Sequence, residues 1–248
     1  MIWCLHGAIG RAGDWDDFSG ALAAHGETCR AVDLWRFQEC DSLSFADWAG
    51  AFNAEVAAAG AAENVLVGYS LGGRLALHAL LARPSLWQKA VIVSAHPGLR
   101  AEPERFQRMV VDAEWAASVL TADWGQFLRN WDEQGVLQSD VVRPDPDPRL
   151  KLVNRRRAIA RSFMEWSLGK QEDLRPRLAE ISCPILWLTG ERDGKFTRLA
   201  GEAAPLLSCG RHQAVADCGH RLPWERPEEF LRLVREFVCK KKSDPKAG

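Results

Sequence analysis

Residues 64–78 read Asn-Val-Leu-Val-Gly-Tyr-Ser-Leu-Gly-Gly-Arg-Leu-Ala-Leu-His and contain the most informative pattern of the chain. The apolar, β-branched run at 65–67 is typical of a buried parallel strand, and the apolar spacing over 71–82 predicts a helix. At their junction, Gly68-Tyr-Ser-Leu-Gly72 matches the pattern G-x-S-x-G in the strand–turn–helix context that gives it meaning. So sharp a turn requires glycine on both sides. The sequence therefore predicts that the Ser70 hydroxyl is presented at the end of a strand.

Two backbone N–H groups are predicted to face an oxyanion formed beside this serine. The first belongs to Leu71, because the N–H groups at a helix start have no partner within the helix and point outward. The second belongs to Ala8. The apolar strand predicted at 2–5 runs into His6-Gly-Ala8, and in folds with this turn the loop after such a strand supplies the second donor.

Composition and charge are those of an ordinary soluble enzyme. The 248 residues are 47% hydrophobic and 26% charged. A net charge of -1 gives no reason to expect nucleic acid or an anionic membrane as a partner. No run approaches the roughly 18 apolar residues of a transmembrane helix, and no basic leader precedes the first strand, so we expect a cytoplasmic protein. The seven cysteines lack C-x-x-C spacing, which favours reduced thiols.

Strand and helix patterns alternate in two regions, 1–98 and 179–240. This alternation predicts one α/β core with a doubly wound, mostly parallel sheet flanked by helices. Only helical patterns occur between the two regions, at 102–119, 123–131 and 149–168. A proline series at 141–148 predicts an extended connector there. We expect 99–178 to be a helical lid inserted after the fourth strand, and 241–248 to be a disordered tail.

A serine hydroxyl becomes reactive when a histidine takes its proton and a carboxylate orients that histidine. With this kind of turn, the acid and then the histidine follow the serine along the chain. Only His212 and His220 lie beyond the lid, and the Gly-His loop of His220, after a short strand, suits the base. Asp193 follows the end of a predicted strand and is the expected acid. Asp217, on the same loop as His220, and Glu191 are the alternatives.

Several arginines are placed where a plain esterase has no need of them. Arg74 lies one helical turn after Ser70, so its side chain can reach the same cavity. Three further arginines occur near the start of the lid: Arg100, Arg105 and Arg108. The segment 149–161 carries six basic residues and no acidic one. Because guanidinium groups bind carboxylates through paired hydrogen bonds, the pattern indicates a substrate with several carboxylates. The alternative for 149–161 is a solvated basic helix face.

Three stretches resemble the α/β-hydrolase-fold lyases of menaquinone biosynthesis, the 2-succinyl-6-hydroxy-2,4-cyclohexadiene-1-carboxylate (SHCHC) synthases. They are Gly68-Tyr-Ser-Leu-Gly-Gly-Arg74, His96-Pro-Gly-Leu99 with Glu104-Arg-x-x-Arg108, and Gly190-Glu-Arg-Asp-x-Lys-Phe196. The resemblance extends from about 64 to 220 and implies an α/β-hydrolase fold. Because no strand precedes 2–5, we expect about six strands instead of eight.

The resemblance also implies a reaction, the elimination of pyruvate from a cyclohexene carboxylate that bears succinyl and enolpyruvyl groups. In such an enzyme Ser70, activated by His220 and Asp193, abstracts a ring proton as a base, without an acyl-enzyme. The implied substrate-binding residues are Tyr69, Arg74, Arg108 and Trp131. A further lid cation is expected within 149–161, where Lys151 and Arg155 both fit.

The main alternative is a carboxylesterase or related acyl hydrolase that uses Ser70 as a nucleophile and leaves the arginines idle. A non-catalytic binding protein is disfavoured, because all three members of the proposed triad are present. No metal-ligand spacing, G-x-G-x-x-G or P-loop occurs, so no cofactor is implied. The expected partner is a small anionic, carboxylate-bearing substrate, with the chain acting as a monomer or weak homo-oligomer.

Overall fold

The computed structural model describes residues 1–139 and 146–239. Their strands are Ile2–Leu5 (β1), Cys29–Val32 (β2), Val65–Tyr69 (β3), Lys89–Val93 (β4), Ile185–Gly190 (β5) and Gly210–Val215 (β6). Their α-helices are Asp16–Ala23 (α1), Phe45–Ala58 (α2), Leu71–Ala82 (α3), Glu102–Thr121 (α4), Trp124–Asp132 (α5), Pro146–Leu150 (α6), Arg156–Glu165 (α7), Gly194–Ala203 (α8), Leu222–Glu225 (α9) and Pro227–Cys239 (α10). Among these residues no helix is both long and apolar enough to span a bilayer.

All six strands run parallel in one sheet, in the order β2-β1-β3-β4-β5-β6. Alternate strand residues face two apolar layers. One layer packs Trp3 and Trp187 against α2, α3 and α8, and the other packs Cys4 and Val67 against α1 and α10. Because helices cover both faces, β3 and β5 are buried at every residue. The predicted α/β architecture with about six strands is confirmed.

The parallel arrangement brings the carboxyl ends of the strands to one edge of the sheet, where such folds bind ligands. Strand β3 lies between β1 and β4, so the turn at Ser70 is flanked by the loops that begin at His6 and Ser94. Asp193 follows β5, and His220 lies in the loop that follows β6. The topology alone therefore places the predicted reactive side chains at the same edge.

The chain between β4 and β5 carries α4, α5, α6 and α7, with no strand in its described part. Aromatic side chains of α5 and α7 pack together, with the rings of Trp131 and Phe163 5.4 Å apart. Arg161 of α7 donates to the carbonyl oxygens of Gln38 and Glu39. These bonds attach the helical segment to the loop that follows β2.

The predicted helix over 149–168 is wrong in its middle. A 3₁₀ turn at Lys151–Arg155 separates α6 from α7, and α7 ends at Glu165. Val153 and Asn154 are weak helix formers, and Lys151 and Arg155 would repel each other at the i,i+4 spacing of an α-helix. Of the connector predicted over 141–148, the part up to 145 lies outside the described residues, as does the predicted tail over 241–248. The end of that connector is helical instead, because α6 begins at Pro146, and proline is tolerated as a first helical residue.

Candidate active site

Close backbone packing holds the turn at Ser70. The φ angle of Ser70 is +52°, a left-handed conformation that is uncommon for residues other than glycine. A Cβ atom at Gly68 would lie 2.5 Å from the Gly72 carbonyl oxygen, and a Cβ at Gly72 would clash with the carbonyl oxygen of Leu5. Helix α3 thus starts against the ends of β1 and β3 with no space for a side chain. This packing explains why the turn needs glycine at both Gly68 and Gly72, as predicted from the sequence.

Ser70, His220 and Asp193 form a continuous hydrogen-bonded series. The Oγ of Ser70 lies 3.2 Å from Nε2 of His220, and Nδ1 of His220 lies 2.6 Å from Oδ2 of Asp193. The side chains of His220 and Asp193 are both buried. When Nδ1 carries the proton that it donates to Asp193, Nε2 has a free lone pair for the serine proton. With this geometry a histidine can activate a serine hydroxyl.

The two competing carboxylates are both exposed. Asp217 is exposed, and its carboxylate lies 3.1 Å from Nη2 of Arg192 and 3.7 Å from Nη2 of Arg226. Glu191 is exposed after the end of β5. The structure therefore brings Asp193, rather than either alternative, to the imidazole ring.

Glu225 holds the backbone on both sides of His220. Its Oε2 accepts the N–H of Gly219 at 2.7 Å, and its Oε1 accepts the N–H of Arg221 at 3.2 Å. The carboxylate is buried, so these charge-assisted bonds are sheltered from water. Phe196 packs its ring 4.5 Å from the imidazole. The histidine is thus positioned both through its backbone and through its ring.

The loop after β1 is braced by His6. The Nδ1 of His6 donates to the Gly7 carbonyl oxygen at 2.8 Å, and its Nε2 accepts the N–H of Leu34 at 3.2 Å. Burial lowers the pKa of His6, so the ring stays neutral and can keep both roles. Ala8 on this loop and Leu71 at the start of α3 both line the cavity in front of the serine.

A cavity of about 130 Å³ lies between this edge of the sheet and the helices α4, α5 and α7. Ser70 and His220 form part of its wall, and Arg74 and Arg108 supply its positive charge. Large apolar side chains line much of the remainder: Trp35, Trp131, Phe163, Trp166 and Phe196. The space combines a serine that is hydrogen-bonded to a histidine with two guanidinium groups, an arrangement that suits an anionic substrate with an apolar body.

Arg74 is buried and fixed by two hydrogen bonds to the segment that follows α7. Its Nε donates to Oε1 of Gln171 at 2.6 Å, and its Nη2 donates to the Trp166 carbonyl oxygen at 2.8 Å. Neither bond uses Nη1. Burial, with a smaller effect of the nearby Arg108 charge, lowers the pKa of Arg74 to about 9, so the guanidinium remains protonated at neutral pH. A buried cation of this kind is stabilised further when an anion binds beside it.

Arg108 is oriented by a carboxylate of its own helix. Its Nε lies 2.9 Å from Oδ1 of Asp112, four residues on. Asp112 is buried, and its Oδ2 accepts the hydroxyl of Ser167 at 2.7 Å. The side chain of Arg108 is 38% exposed, so it forms the more accessible part of the pair of cations.

The other predicted substrate-binding residues lie in different surroundings. Trp131 lines the cavity of Ser70. Tyr69 contacts the ring of His220 at 5.6 Å but lines an adjoining cavity. Burial raises the pKa of Tyr69, which keeps its hydroxyl neutral. Arg155 pairs with Asp33 and Glu39 in a separate surface depression.

Among the remaining candidate cations, Lys151 is exposed. The Nε of Arg105 donates to the Gly169 carbonyl oxygen at 3.0 Å. Arg100 lies near Asp173 and Glu202. Of Arg100, Arg105 and Arg108, it is therefore Arg108 that reaches the cavity.

The His-Pro-Gly stretch noted in the sequence shapes one wall of the site. The Nδ1 of His96 accepts the N–H of Gly98 at 3.0 Å. Burial, together with nearby positive charges, lowers the pKa of His96 to about 3, so it lines the cavity as a neutral ring. Gly98 has a φ of +115°, and a Cβ there would clash with the Glu172 carbonyl oxygen. This glycine lets the chain pass close to the segment that carries Gln171.

Gln171, Asp112 and Glu225 are the supporting residues that sequence reasoning missed. Asp112 follows Arg108 at ion-pair spacing on a helix, a signal that could have found it. Gln171 is separated from Arg74 by 97 residues, so no local pattern indicates their contact. Within residues 1–139 and 146–239, no group of three or more His, Cys, Asp or Glu side chains could hold a metal ion.

Together, the parallel sheet, the serine at a strand–helix turn, and the histidine and aspartate at the same edge define an α/β-hydrolase fold. A family model described as the alpha/beta hydrolase family matches residues 4–233. The chain belongs to this family and is an enzyme of this kind.

Similar curated relatives carry one name. The SHCHC synthase of Serratia proteamaculans is 29% identical, covering 96% of this chain and 92% of that protein. The SHCHC synthase of Pectobacterium atrosepticum is 31% identical, covering 95% and 92%. The predicted resemblance to these synthases is confirmed.

Solved structures support the fold. MenH from S. aureus matches with a TM-score of 0.87 at 21% identity, covering 98% of this chain and 94% of that one. A thermophilic esterase from Thermogutta terrifontis matches with a TM-score of 0.78 at 19% identity, covering 96% and 89%.

Proposed function

We propose that the protein is an SHCHC synthase-like lyase of menaquinone biosynthesis that eliminates pyruvate from a multiply carboxylated cyclohexene substrate. The observation that carries this proposal is Arg74, a buried guanidinium one helical turn after Ser70 in the same cavity. Ester hydrolysis requires a serine, a histidine and an oxyanion site but no fixed cation. Arg108 adds a second guanidinium to the cavity, and the names of the curated relatives agree with this substrate class.

In the proposed reaction His220 accepts the proton of Ser70 through Nε2, and Asp193 stabilises the imidazolium through Nδ1. The Ser70 oxygen then removes a ring proton next to a carbonyl group. The electron pair of the broken C–H bond moves into the ring, and the C–O bond to the enolpyruvyl group breaks. The departing enolate takes a proton from the imidazolium and leaves as pyruvate, which restores the starting state of the site.

Negative charge develops on the carbonyl oxygen as the ring proton leaves. The N–H groups of Ala8 and Leu71 are the donors that would stabilise it, since both residues line the cavity beside Ser70. Arg74 and Arg108 bind substrate carboxylates, and Trp131 packs against the ring. The segment 99–178 acts as the lid that supplies Arg108 and Trp131 and keeps bulk water out. Arg155 is left out of the binding set because two carboxylates already neutralise it away from the cavity.

A coupled pyruvate assay with the succinyl- and enolpyruvyl-bearing substrate tests the proposal. We expect pyruvate to form in proportion to substrate consumed, with slow turnover of a short p-nitrophenyl ester. The alternative function, a carboxylesterase, is favoured by one observation, since the serine, histidine and oxyanion donors would serve acyl transfer equally well. Absence of pyruvate above background, with rapid turnover of the ester, would establish that alternative.

Glu225 provides an independent test of the proposed role of His220. Replacing Glu225 by glutamine is expected to lower kcat up to about a hundredfold with KM nearly unchanged. The reason is that a glutamine carbonyl can accept one of the two N–H groups beside His220, while its NH2 group opposes the other. Steady-state kinetics of pyruvate release measure the effect. Asp217→Asn, on the same loop but exposed, is the matched control, and an equal loss in both variants would contradict the positioning role.

A further inference from the structure

A second cavity, of about 320 Å³, adjoins the cavity of Ser70. The two cavities share four lining residues: Ala8, Ile9, Trp131 and Leu137. Ser70 lines the first cavity, and Tyr69 lines the second. The first cavity alone is smaller than the ~300 Å³ at which small-molecule pockets typically begin. A substrate with three carboxylate-bearing groups therefore needs additional space, and the second cavity offers it next to the reacting atoms.

Two buried arginines line this second cavity and share one carboxylate. The Nη1 of Arg149 lies 3.0 Å from Oδ1 of Asp132, and Nη2 of Arg221 lies 2.9 Å from the same oxygen. The side chains of Arg149 and Arg221 are only 10% and 9% exposed. Among the residues that the structure describes, both guanidinium groups form their ion pair with the single carboxylate of Asp132, so their charge is only partly neutralised by direct contacts in a poorly hydrated place.

Two further features describe the surroundings of these two arginines. The Nε of Arg149 is buried and has no hydrogen-bond partner among the described residues. The aromatic side chains of Tyr69, Trp131 and Trp224 line the same cavity and suit an apolar spacer.

The other charged residues of the described lining add little to the charge of this cavity. Arg11 and Asp14 also line it, and they compensate each other, with their Nε and Oδ1 atoms 3.4 Å apart. Asp17 is exposed to solvent, where its charge is screened. The positive charge of the described lining is therefore concentrated at the end of the cavity that carries Arg149 and Arg221, where the carboxylates of Asp132 and Glu225 offset part of it.

We infer that Arg149 and Arg221 form a subsite for a carboxylate arm of the substrate, which extends past Ala8 and Trp131 from the cavity of Ser70. The inference rests on the proposed function and deepens it. It differs from the expectation drawn from the resemblance, which offered Lys151 and Arg155 as the further cation. Within the basic segment 149–161, Arg149 rather than Lys151 or Arg155 reaches the site. Arg221, the residue after His220, completes the subsite from the core.

The subsite is tested with succinate as the probe, because succinate binding requires no turnover. Binding is followed by isothermal titration and by the intrinsic tryptophan fluorescence of the protein, with neutral succinamide as the control ligand. We expect Arg149→Gln and Arg221→Gln each to weaken succinate binding about tenfold, or ~1.4 kcal/mol. Arg155→Gln, whose side chain pairs with carboxylates outside both cavities, is the matched control and should bind as the wild type does.

The Asp132→Asn variant is expected to bind succinate more tightly, whereas the arginine variants bind it more weakly. Loss of folding cannot produce tighter binding. Asp132 competes with the ligand for both guanidinium groups, so its removal is expected to tighten succinate binding several-fold. Succinate should accordingly raise the Tm of this variant more than that of the wild type. Unchanged or weaker binding in Asp132→Asn would overturn the inference. The inference would also be overturned if Arg108→Gln lost succinate binding while Arg149→Gln bound succinate as the wild type does.

The inference and the proposed function can fail separately. If the wild type releases no pyruvate but the succinate results follow the expected pattern, the lyase proposal is wrong and the carboxylate subsite stands. If pyruvate is released with an unchanged KM in Arg149→Gln, Arg221→Gln and Asp132→Asn, the lyase stands and the subsite is wrong.

Discussion

Replacing Ser70 by alanine is expected to reduce kcat for pyruvate release by about four orders of magnitude or more. The Oγ atom lies 3.2 Å from Nε2 of His220, and Ser70 forms part of the wall of the cavity. Without it, the imidazole has no atom through which to act on the ring proton. A lactate dehydrogenase-coupled assay measures the loss. Ser85→Ala, at an exposed position in the turn after α3, is the control and should retain full activity.

The alanine variant cannot show whether the serine acts as a base or as a nucleophile, because both mechanisms need the hydroxyl. Two observations on the wild type can distinguish a base from a nucleophile. If Ser70 is a base, the intact protein gains no mass during turnover, and deuterium at the ring carbon slows the reaction when proton abstraction limits the rate. A covalent adduct on Ser70 that accumulates with substrate would instead establish acyl transfer.

Replacing Arg74 by methionine is expected to lower kcat/KM on the multiply charged substrate by two to three orders of magnitude, or about 3–4 kcal/mol. Methionine keeps most of the length of the side chain but loses the charge and the planar array of donors. Lysine at this position should be intermediate, because it restores the charge without the paired geometry. Turnover of a neutral p-nitrophenyl ester by the same variants should change little, since that substrate has no carboxylate for the guanidinium to bind.

Stability must be measured alongside activity in these Arg74 variants. Gln171 and the Trp166 carbonyl oxygen lose their donor when Arg74 is replaced, and a buried acceptor without a partner costs about 1–3 kcal/mol. Thermal unfolding reports that cost separately. Arg105→Met, which removes an arginine bound to the Gly169 carbonyl oxygen outside the cavity, is the matched control. Near-normal kcat/KM in a folded Arg74→Met variant would contradict the carboxylate-binding role.

The parts of the site that could be predicted from the sequence are those encoded over short distances. Gly68 and Gly72 are required by backbone contacts within a single turn, and the apolar run before them indicates a buried strand. The positions of Asp193 and His220 follow from topology, because the ends of parallel strands share one edge of the sheet. A pattern of alternating elements is sufficient to bring them near Ser70 without knowledge of any side-chain contact.

The ion pairs of the second cavity could not be predicted from the sequence, because their members are brought together only by tertiary packing. Two of these residues lie in helices between β4 and β5, Asp132 in α5 and Arg149 in α6. The third, Arg221, lies in the loop that follows β6. The basic segment 149–161 illustrates the difficulty. Its sequence suggests either a uniform solvated face or a uniform ligand-binding face, and the structure divides it. Arg149 lines a cavity, Arg155 pairs with carboxylates of the loop after β2, and the helix breaks between them.

Gly72 matters for the electrostatics of the proposed reaction as well as for the packing of the turn. Its lack of a side chain lets α3 start directly against the carbonyl end of β1, and the same strand continues into the loop that carries Ala8. The Ala8 and Leu71 N–H groups, which belong to distant parts of the chain, therefore share one rigid junction. In the proposed reaction these two groups are the oxyanion donors, and their separation is already set by this backbone contact before charge moves onto the substrate.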